Sequence, residues 1–284
     1  MMRDSEIMKI LVTGVKGQLG YDVVQMLKKN NIDHLGIDKD ELDITIESDV
    51  ATFIYGFKPT VIIHCAAYTA VDKAEEDQKN CYNINVLGTE YLAKAAKGVN
   101  AKFLYISTDY VFDGQGTLPF TVVDNPKPIN YYGLTKYHGE IAVQKFLSDY
   151  YIVRVSWVFG INGNNFIKTM LRLAETKKEI NVVADQIGSP TYTVDLAIYI
   201  IELMQTNNFG IYHATNEGFC SWHEFAIEIF KTAKMEMKVN PITSDQYPTI
   251  AKRPLNSRMK KNGVPMNHWK TALALFFEEL HHND

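Results

Sequence analysis

Short apolar runs alternate along the first 160 residues with longer stretches in which apolar residues recur at helical spacing. The runs have the length of strands buried on both faces, and they cover residues 10–12, 35–37, 61–63, 102–107 and 151–155. The helical patterns between them cover residues 21–29, 47–57, 75–97 and 131–147. This alternation predicts βαβ units and therefore an α/β fold with a doubly wound, Rossmann-type parallel sheet.

Three glycines lie between the first predicted strand and the first predicted helix. Gly14, Gly17 and Gly20 follow one another at intervals of three. In this context the backbone can approach a pyrophosphate, and the helix N-terminus offers it N–H groups and the positive end of a dipole. The same spacing occurs in ordinary tight turns, so the glycines alone leave both interpretations open.

The alternation becomes less regular after about residue 160. Helical patterns at 165–177, 194–204, 222–233 and 268–280 are separated by short extended segments and by a stretch rich in Pro and Asn at 238–267. We therefore expect residues 1–160 to form a dinucleotide-binding domain, with residues 1–7 frayed, and residues 161–284 to form mainly a smaller, mixed α/β substrate-binding domain. Short segments near 181–184 and 209–213 could return to the main sheet.

Composition and charge exclude several classes of protein. The formal net charge of −4 and the lack of a dense Lys/Arg patch argue against a nucleic-acid partner. No apolar run approaches the ~20 residues of a membrane span, and the polar start MMRDSEI does not resemble a signal peptide. Three cysteines are too few for a disulfide framework or a zinc site. We expect a cytoplasmic protein without membrane or nucleic-acid partners.

Asp38 ends the second predicted strand, where dinucleotide-binding folds place a carboxylate against the ribose hydroxyls of the cofactor. A strand-end turn residue is the alternative, because DKDELD contains several acids. Lys16 lies inside the glycine loop and Lys39 lies beside Asp38, and either ammonium could pair with a 2′-phosphate. The sequence therefore permits NADP as well as NAD.

Two further segments, HCAAYTAVD from residue 64 and STDYVFDG from residue 107, begin at the carboxyl ends of the third and fourth predicted strands. Ligands bind at these ends in such sheets. Ala66 and Ala67 are small enough to let a cofactor lie close to the backbone. Thr108 and Asp109 bring a hydroxyl and a carboxylate to the same edge. A helix cap or a turn is the alternative role for the Thr108 hydroxyl.

Tyr132 and Lys136 are four residues apart and share one face of a predicted helix. A phenol with a pKa near 10 is a poor acid or base at neutral pH, but a nearby ammonium favours the phenolate and lowers that pKa. Such a pair can transfer a proton to or from an alcohol or sugar oxygen. Tyr-x-x-x-Lys occurs by chance in many proteins. This pair indicates a catalytic role only because the chain also has the glycine loop and the sequence Ser107-Thr108-Asp109, here called the STD segment.

Together these motifs resemble the extended short-chain dehydrogenase/reductase family and, within it, the dTDP-4-dehydrorhamnose reductases. The matching segments span nearly the whole chain: AAYTAVDKAE, NINVLGTEYLA, ISTDYVFDG, YYGLTK, RVSWVFG, NNFIKTML, DQIGSPTY and RPLNSRM. The resemblance implies reduction of the 4-keto group of a dTDP-6-deoxy-L-hexulose to dTDP-L-rhamnose. It also implies a nicotinamide cofactor, which we expect to be NADPH, with NADH accepted as well.

The resemblance also implies roles for individual residues. The catalytic group would be Thr108, Tyr132 and Lys136. The cofactor would contact the glycines Gly14, Gly17 and Gly20 and the charged residues Lys16, Asp38 and Lys39. It would also contact Gln18, Leu19, Asp43, Ile44, Ala66, Ala67, Tyr68, Thr69, Tyr132 and Lys136. The sugar nucleotide would contact Val71, Thr108, Asp109, Tyr110, Trp157 and Arg253, although a core position for Trp157 and a surface position for Arg253 are the alternatives.

Some members of the family dimerise through a magnesium site built from glutamates. This chain has the shorter Asp22 and Asp195 near the matching places. We therefore predict no metal ligands, leave magnesium open, and expect a monomer or a weak homodimer.

Two other functions remain compatible with the motifs. The first is another nucleotide-sugar epimerase or dehydratase of the family; dehydratases carry a glutamate base after the STD segment, whereas this chain has Tyr110 there. The second is a non-catalytic regulatory subunit with the same fold, against which the intact Thr108, Tyr132 and Lys136 argue.

Overall fold

A parallel sheet of six strands forms the centre of the molecule. A computed structural model describes residues 8–283, so the expectation that residues 1–7 are frayed lies outside the described range. The strands of this sheet are β1 (Ile10–Thr13), β2 (His34–Ile37), β3 (Val61–His64), β4 (Lys102–Thr108), β5 (Tyr150–Val155) and β10 (Gly210–His213). Their order is β10-β5-β4-β3-β1-β2, and every pairing is parallel. The predicted doubly wound α/β fold is confirmed.

Helices connect these strands and cover both faces of the sheet. The α-helices are α1 (Gln18–Lys29), α2 (Glu47–Phe57), α3 (Val71–Glu76), α4 (Gln78–Tyr82), α5 (Thr89–Gly98), α6 (Tyr131–Phe146), α7 (Phe166–Ala174), α8 (Thr193–Met204), α9 (Trp222–Thr232) and α10 (Trp269–Asn283). Two 3₁₀ turns lie at Asp109–Val111 and Ser244–Gln246. Within the described residues, no helix is long and apolar enough to cross a membrane.

The apolar strands bury alternate side chains on opposite faces of the sheet. Ile10 and Val12 of β1 face a core that includes residues of α1 and α8, whereas Leu11 faces a second core that includes residues of α2 and α5. Because successive side chains of a strand point to opposite faces, a strand covered on both faces favours apolar residues at consecutive positions. This explains why the runs in the sequence are continuous rather than alternating.

A separate core lies outside the sheet. Phe159, Phe225, Trp269 and Phe276 belong to this cluster, which joins α7, α9 and α10. Six short strands pair around it, namely β6 (Val158–Phe159) with β9 (Thr191–Tyr192), β7 (Glu179–Val183) with β12 (Lys238–Ile242), and β8 (Ile187–Gly188) with β11 (Cys220–Ser221). Residues 210–213 therefore join the main sheet, but residues 181–184 do not, because β7 pairs with β12 instead.

The long helix expected over residues 75–97 is interrupted. Helix α3 ends at Glu76, and a π-helical segment, Asn83–Gly88, separates α4 from α5. The Asn85 side chain within this segment donates hydrogen bonds to the Tyr68 carbonyl (3.1 Å) and to Thr135 Oγ1 (3.0 Å). These tertiary bonds tie the segment to two neighbouring elements, a feature that helical periodicity does not predict.

Candidate active site

A cleft of about 1130 Å³ opens at the carboxyl ends of the central strands. It is lined by all of the predicted site residues except Arg253, namely Gly14, Lys16, Gly17, Gln18, Leu19, Gly20, Asp38, Lys39, Asp43, Ile44, Ala66, Ala67, Tyr68, Thr69, Val71, Thr108, Asp109, Tyr110, Tyr132, Lys136 and Trp157. The parallel register causes this convergence, because Thr13 of β1 pairs with both Ile37 and His64 at the ends of the adjacent strands.

The glycine loop requires glycine at two positions for reasons of space. Gly14 has a φ of 74°, and a Cβ there would lie 2.6 Å from the Ala66 nitrogen. A Cβ on Gly20 would lie 2.3 Å from the Gly14 carbonyl oxygen. The loop therefore packs directly against the end of β3 and leads into the N-terminus of α1. Since the first turn of a helix leaves N–H groups without helical partners, this cradle can accept a pyrophosphate.

Asp38 is fixed beside this loop by two backbone groups. Its carboxylate accepts hydrogen bonds from the N–H of Lys16 (2.9 Å) and from the N–H of Lys39 (2.8 Å). The Lys16 ammonium forms an exposed ion pair with Asp40. Lys39 lines the cleft and makes no ion pair with the described residues. Asp38 therefore lies where a ribose hydroxyl could reach it, with two lysines nearby for a 2′-phosphate.

The segment after β3 is held by a residue that the sequence analysis did not select. Asn85 Oδ1 accepts a hydrogen bond from the Tyr68 N–H (2.8 Å), while its amide donates to the Tyr68 carbonyl (3.1 Å). This pair of bonds fixes the backbone from Ala66 to Thr69 along the cleft. Asn85 lies in the NINVLGTEYLA segment of the sequence. Helical spacing alone does not predict that its side chain binds the loop around Tyr68.

Helix α6 reaches the cleft because two glycines allow close packing. A Cβ on Gly133 would lie 2.1 Å from the Tyr110 carbonyl oxygen, and one on Gly139 would lie 2.2 Å from the Tyr105 hydroxyl oxygen. Asn130 caps the helix by accepting a hydrogen bond from the Gly133 N–H (2.7 Å). The helix therefore starts directly beneath the cleft, and its first turns carry Tyr132 and Lys136 into it.

The Lys136 ammonium is buried and lies over the face of an aromatic ring. Its Nζ is 4.1 Å from the centroid of the Tyr105 ring, and the side chain is only 3% exposed. Burial lowers the pKa of Lys136 to about 7, although Glu140 opposes this change. An ammonium in this environment changes its charge near neutral pH.

The expectation that Lys136 lowers the pKa of Tyr132 is wrong for this structure. The pKa of Tyr132 is raised, first by burial and then by the nearby Asp109, and a hydrogen bond with Thr108 offsets only part of this rise. The Lys136 ammonium lies over Tyr105 and is itself destabilised by burial, so it does not stabilise the phenolate. Tyr132 is therefore a protonated phenol throughout the physiological pH range and holds a proton that it can donate.

Thr108 and Asp109 form a polar pair at the end of β4. The Thr108 hydroxyl donates to Asp109 Oδ1 (3.0 Å) and accepts from the Tyr110 N–H (3.2 Å), so its alternative role as a cap of the following turn is realised as well. Burial raises the pKa of Asp109 to about 6. Its Oδ2 atom has no hydrogen-bond partner among the described residues. A buried acceptor without a partner is costly and is a natural contact for a ligand hydroxyl.

Trp157 lines the cleft in a strained conformation. Its φ is 48°, in the left-handed region that large side chains rarely adopt. The indole stacks on Trp222 with ring centroids 3.6 Å apart, and a Cβ on Gly188 would lie 2.7 Å from the indole. Trp222 also lines the cleft and was not selected from the sequence, because an aromatic residue at a helix start looks like core.

Arg253 does not line the cleft. It forms a two-pronged ion pair with Asp72, with Nη2–Oδ2 and Nη1–Oδ1 distances of 2.6 and 3.0 Å. The Asp72 carboxylate also accepts the Ala251 N–H (3.0 Å), so the pair joins the 250s segment to α3. The guanidinium lies close enough to Tyr110 to lower the pKa of that phenol slightly, although burial raises it overall. The contact of Arg253 with the diphosphate stays a prediction.

A group of asparagines joins the glycine loop to the second half of the chain. Asn162 Nδ2 donates to the Lys16 carbonyl (2.8 Å), and Gln18 Oε1 accepts from Asn165 Nδ2 (3.1 Å) and from the Gly160 N–H (3.1 Å). Asn165 lines the cleft. These bonds position residues 160–165 beside the loop, a role that the NNFIKTML motif did not reveal.

The two aspartates near the matching metal positions differ in their hydrogen bonds, although both lie close enough to Tyr192 to raise the pKa of its phenol. Asp195 accepts hydrogen bonds from Asn216 (2.6 Å) and Asn267 (3.0 Å). Asp22 Oδ2 has no hydrogen-bond partner within the described chain, and burial raises the pKa of this carboxyl to about 6. In residues 8–283, no group of three or more His, Cys, Asp or Glu side chains is arranged to hold a metal ion.

Comparison with known families identifies the class of this chain. Residues 8–282 match the family described as RmlD substrate binding domain. The chain belongs to this family. The match covers both the sheet and the smaller core, and it confirms the resemblance that the motifs indicated.

Individual RmlD-family relatives agree with this assignment. The chain is 42% identical over 284 residues to the dTDP-4-dehydrorhamnose reductase of Aggregatibacter actinomycetemcomitans, covering 93% of this chain and 97% of the relative. It is 38% identical over 276 residues to the spore coat polysaccharide biosynthesis protein SpsK of Bacillus subtilis (strain 168), covering 95% and 97%. The crystal structure of dTDP-4-dehydrorhamnose reductase from Bacillus anthracis str. Ames in complex with NADP is 43% identical, with a TM-score of 0.94 and coverage of 96% of this chain and 100% of that chain.

Proposed function

We propose that this chain reduces the 4-keto group of dTDP-4-dehydro-6-deoxy-L-mannose (dTDP-4-dehydrorhamnose) to the alcohol of dTDP-L-rhamnose, with NADPH as the reductant. The observation that carries the proposal is the convergence of Thr108, Tyr132 and Lys136 in the cleft that also contains the glycine loop. Membership of the RmlD family, and the reductase activity named for its relatives, support the substrate. The reaction would supply an activated sugar for cell-surface polysaccharide.

The residues of the cleft fit a dinucleotide. The glycine loop and the start of α1 would hold the pyrophosphate, Asp38 and Lys39 would meet the adenosine ribose, and Lys136 would meet the nicotinamide ribose. When bound, the reduced nicotinamide supplies a hydride for the carbonyl carbon.

The chain itself supplies the proton. Tyr132 is protonated and buried, so its hydroxyl can donate to the carbonyl oxygen as negative charge develops there. Thr108 can turn its hydroxyl proton from Asp109 Oδ1 to the same oxygen and so stabilise that charge, as oxyanion donors do. Asp109 offers its unpartnered Oδ2 to a sugar hydroxyl, and Val71, Tyr110 and Trp157 line the remaining surface around the sugar.

A dehydratase is less well supported, because elimination needs a base directly after the STD segment. Tyr110 occupies that position. Burial raises the pKa of its phenol, so the side chain stays protonated near neutral pH and cannot act as a base there. A regulatory subunit without activity is opposed by the complete polar constellation of Thr108, Tyr132 and Lys136.

Several finer features belong to the same proposal. NADH is accepted as well as NADPH, with NADPH preferred because Lys39 lines the cleft beside Asp38, and Lys16, whose ammonium pairs with Asp40, lies nearby. Residues 1–160 bind the dinucleotide, and residues 161–284 mainly bind the sugar nucleotide. The protein works in the cytoplasm as a monomer or a weak homodimer. The proposal does not include the binding of magnesium.

An initial-rate assay tests the proposal. Purified protein is mixed with NADPH or NADH and dTDP-4-dehydrorhamnose, and cofactor oxidation is followed by absorbance. We expect turnover with both cofactors and much slower turnover with a UDP-linked 4-keto sugar. Absence of cofactor oxidation with the dTDP sugar, in a folded preparation, would reject a catalytic role.

A further inference from the structure

Helix α6 carries a third ionisable residue behind the two catalytic candidates. Tyr132, Lys136 and Glu140 follow one another at intervals of four, so they lie on one side of the helix. Tyr132 and Lys136 line the cleft, whereas Glu140 is 1% exposed and lies one turn deeper. The proposed reaction assigns no role to Glu140.

The Glu140 carboxylate is held rigidly by neighbouring strands. Arg154 of β5 donates from Nε to Oε1 (2.9 Å) and from Nη2 to Oε2 (2.7 Å), and the Ser107 hydroxyl of β4 donates to Oε1 (2.5 Å). Arg154 is itself buried and lies over the ring of Phe112. Desolvation makes such a pair a weak source of stability, so its presence beneath a catalytic lysine calls for another explanation.

The surroundings of Lys136 contain little other charge. The titratable groups that face it, from its own helix and from the elements packed against it, are Tyr132, Glu140, His64, Cys65, Cys81 and Tyr105. The pKa of His64 is lowered to about 3, and burial raises the pKa of both thiols and of both phenols. These five groups are therefore neutral near pH 7, and among the described residues only the Glu140–Arg154 pair places formal charges beside the ammonium.

We propose that Glu140 is a positioning residue for the reduction: Arg154 and Ser107 hold its carboxylate one helical turn from Lys136, where it keeps that ammonium charged. Of the two charges in this pair, it is that of Glu140 which acts on the pKa of Lys136, and it raises that pKa. The inference rests on the proposed function for its catalytic meaning, but the electrostatic claim concerns the chain alone.

The direct test measures the titration of Lys136 without substrate. Protein labelled with ¹³C at lysine Cε is titrated by NMR, and a Lys136→Met variant assigns the resonance. In Glu140→Gln we expect the Lys136 transition to move down by about one pH unit, because an opposite charge at this range changes a pKa by roughly one unit or more. Glu140→Asp retains the charge and should restore most of the wild-type transition.

The kinetic counterpart is the alkaline limb of kcat/KM, which should move to lower pH with the NMR transition. Well above that limb, Glu140→Gln should be about tenfold slower, since one pH unit is a tenfold change in the charged fraction. Glu90→Gln removes a glutamate that pairs with Lys94 outside the cleft and should move neither transition.

The outcomes separate the two proposals. A wild-type enzyme that fails to reduce the sugar would reject the function, while the NMR titration would still decide the role of Glu140. A Lys136 transition that stays at the wild-type pH in Glu140→Gln would overturn the inference and reduce Glu140 to a structural ion pair. If the single variant does not fold, Glu140→Gln combined with Arg154→Gln removes both buried charges. In this double variant we expect the Lys136 transition to move to lower pH by a smaller amount. An unchanged Lys136 transition in the double variant would equally overturn the inference.

Discussion

Replacing Tyr132 with phenylalanine removes the proposed proton donor and little else. The ring would keep its edge-to-face contact with Tyr110, whose ring centroid is 5.8 Å away at an interplanar angle of 79°. The lost group is the hydroxyl that hydrogen-bonds Thr108. Loss of one such bond costs about 1 kcal/mol of folding stability, so the variant should remain folded.

The effect on turnover should be far larger than the effect on stability. General acid catalysis contributes ~10²–10⁴-fold, which corresponds to about 3–5 kcal/mol of transition-state stabilisation. We therefore expect kcat of Tyr132→Phe to fall by that factor, while the Kd of the cofactor stays close to wild type. Stopped-flow or steady-state cofactor oxidation measures the first quantity, and fluorescence titration measures the second.

Tyr131 provides the matched control. It precedes Tyr132, does not line the cleft, and uses its backbone N–H to bond Glu75 Oε1 at 2.8 Å. Tyr131→Phe should therefore leave kcat near wild type. Near-wild-type turnover of Tyr132→Phe would refute the reasoning and would direct attention to Asp109 or to a bound water as the proton donor.

Four further predictions concern the cofactor, the lysine and the loop. Lys136→Ala should lower kcat and also raise the Kd of the cofactor, because this side chain acts in catalysis and also contacts the nicotinamide ribose. Cofactor oxidation and fluorescence titration measure the two effects. NADPH should give the higher kcat/KM and Lys39→Ala should reduce that preference, whereas a more than tenfold preference for NADH would mean that the Asp38 carboxylate dominates. Asp109→Asn should raise stability at pH 7 by up to about 3 kcal/mol, since the folded pKa of about 6 exceeds the unfolded value near 3.9; this gain should shrink as pH falls from 6 to 4, as denaturant titrations at each pH would show. Gly14→Ala should weaken both folding and cofactor binding, because its Cβ would lie 2.6 Å from a backbone nitrogen in a residue with positive φ; a normal Tm together with a normal Kd would contradict the close packing.

The sequence predicts those features that follow from local periodicity and from the rules of parallel sheets. Apolar runs located β1, β3 and β5 to within one residue at either end, because strands covered on both faces are built mainly from consecutive apolar residues. The carboxyl ends of such strands must meet at one edge, so the sequence predicts Gly17, Ala67 and Thr108 along one cleft, and all three line it.

The features that sequence reasoning missed depend on contacts between distant segments. Asn85 stabilises a loop seventeen residues earlier in the chain, and Trp222 reaches Trp157 across 65 residues, as their sequence numbers show. Arg253 pairs with Asp72, a contact that the sequence did not predict, because the 250s segment docks on α3. Neither spacing nor composition encodes such pairings, which arise only when the two halves fold together.

The pKa of Tyr132 shows the same limitation in electrostatic form. Spacing brought Tyr132 and Lys136 together on the helix, but it does not report how deeply the phenol is buried. Burial and Asp109 outweigh the expected effect of the ammonium, and the result is a stable proton donor rather than a preformed phenolate.

The most direct test of the central claim follows the hydride into the product. Purified protein is incubated with dTDP-4-dehydrorhamnose and NADPH that carries deuterium at the transferable position, and the product is analysed by NMR and mass spectrometry. The account predicts dTDP-L-rhamnose with one deuterium at C4 of the sugar. A product without deuterium at C4, or recovery of unchanged keto sugar from active, folded protein, would contradict it.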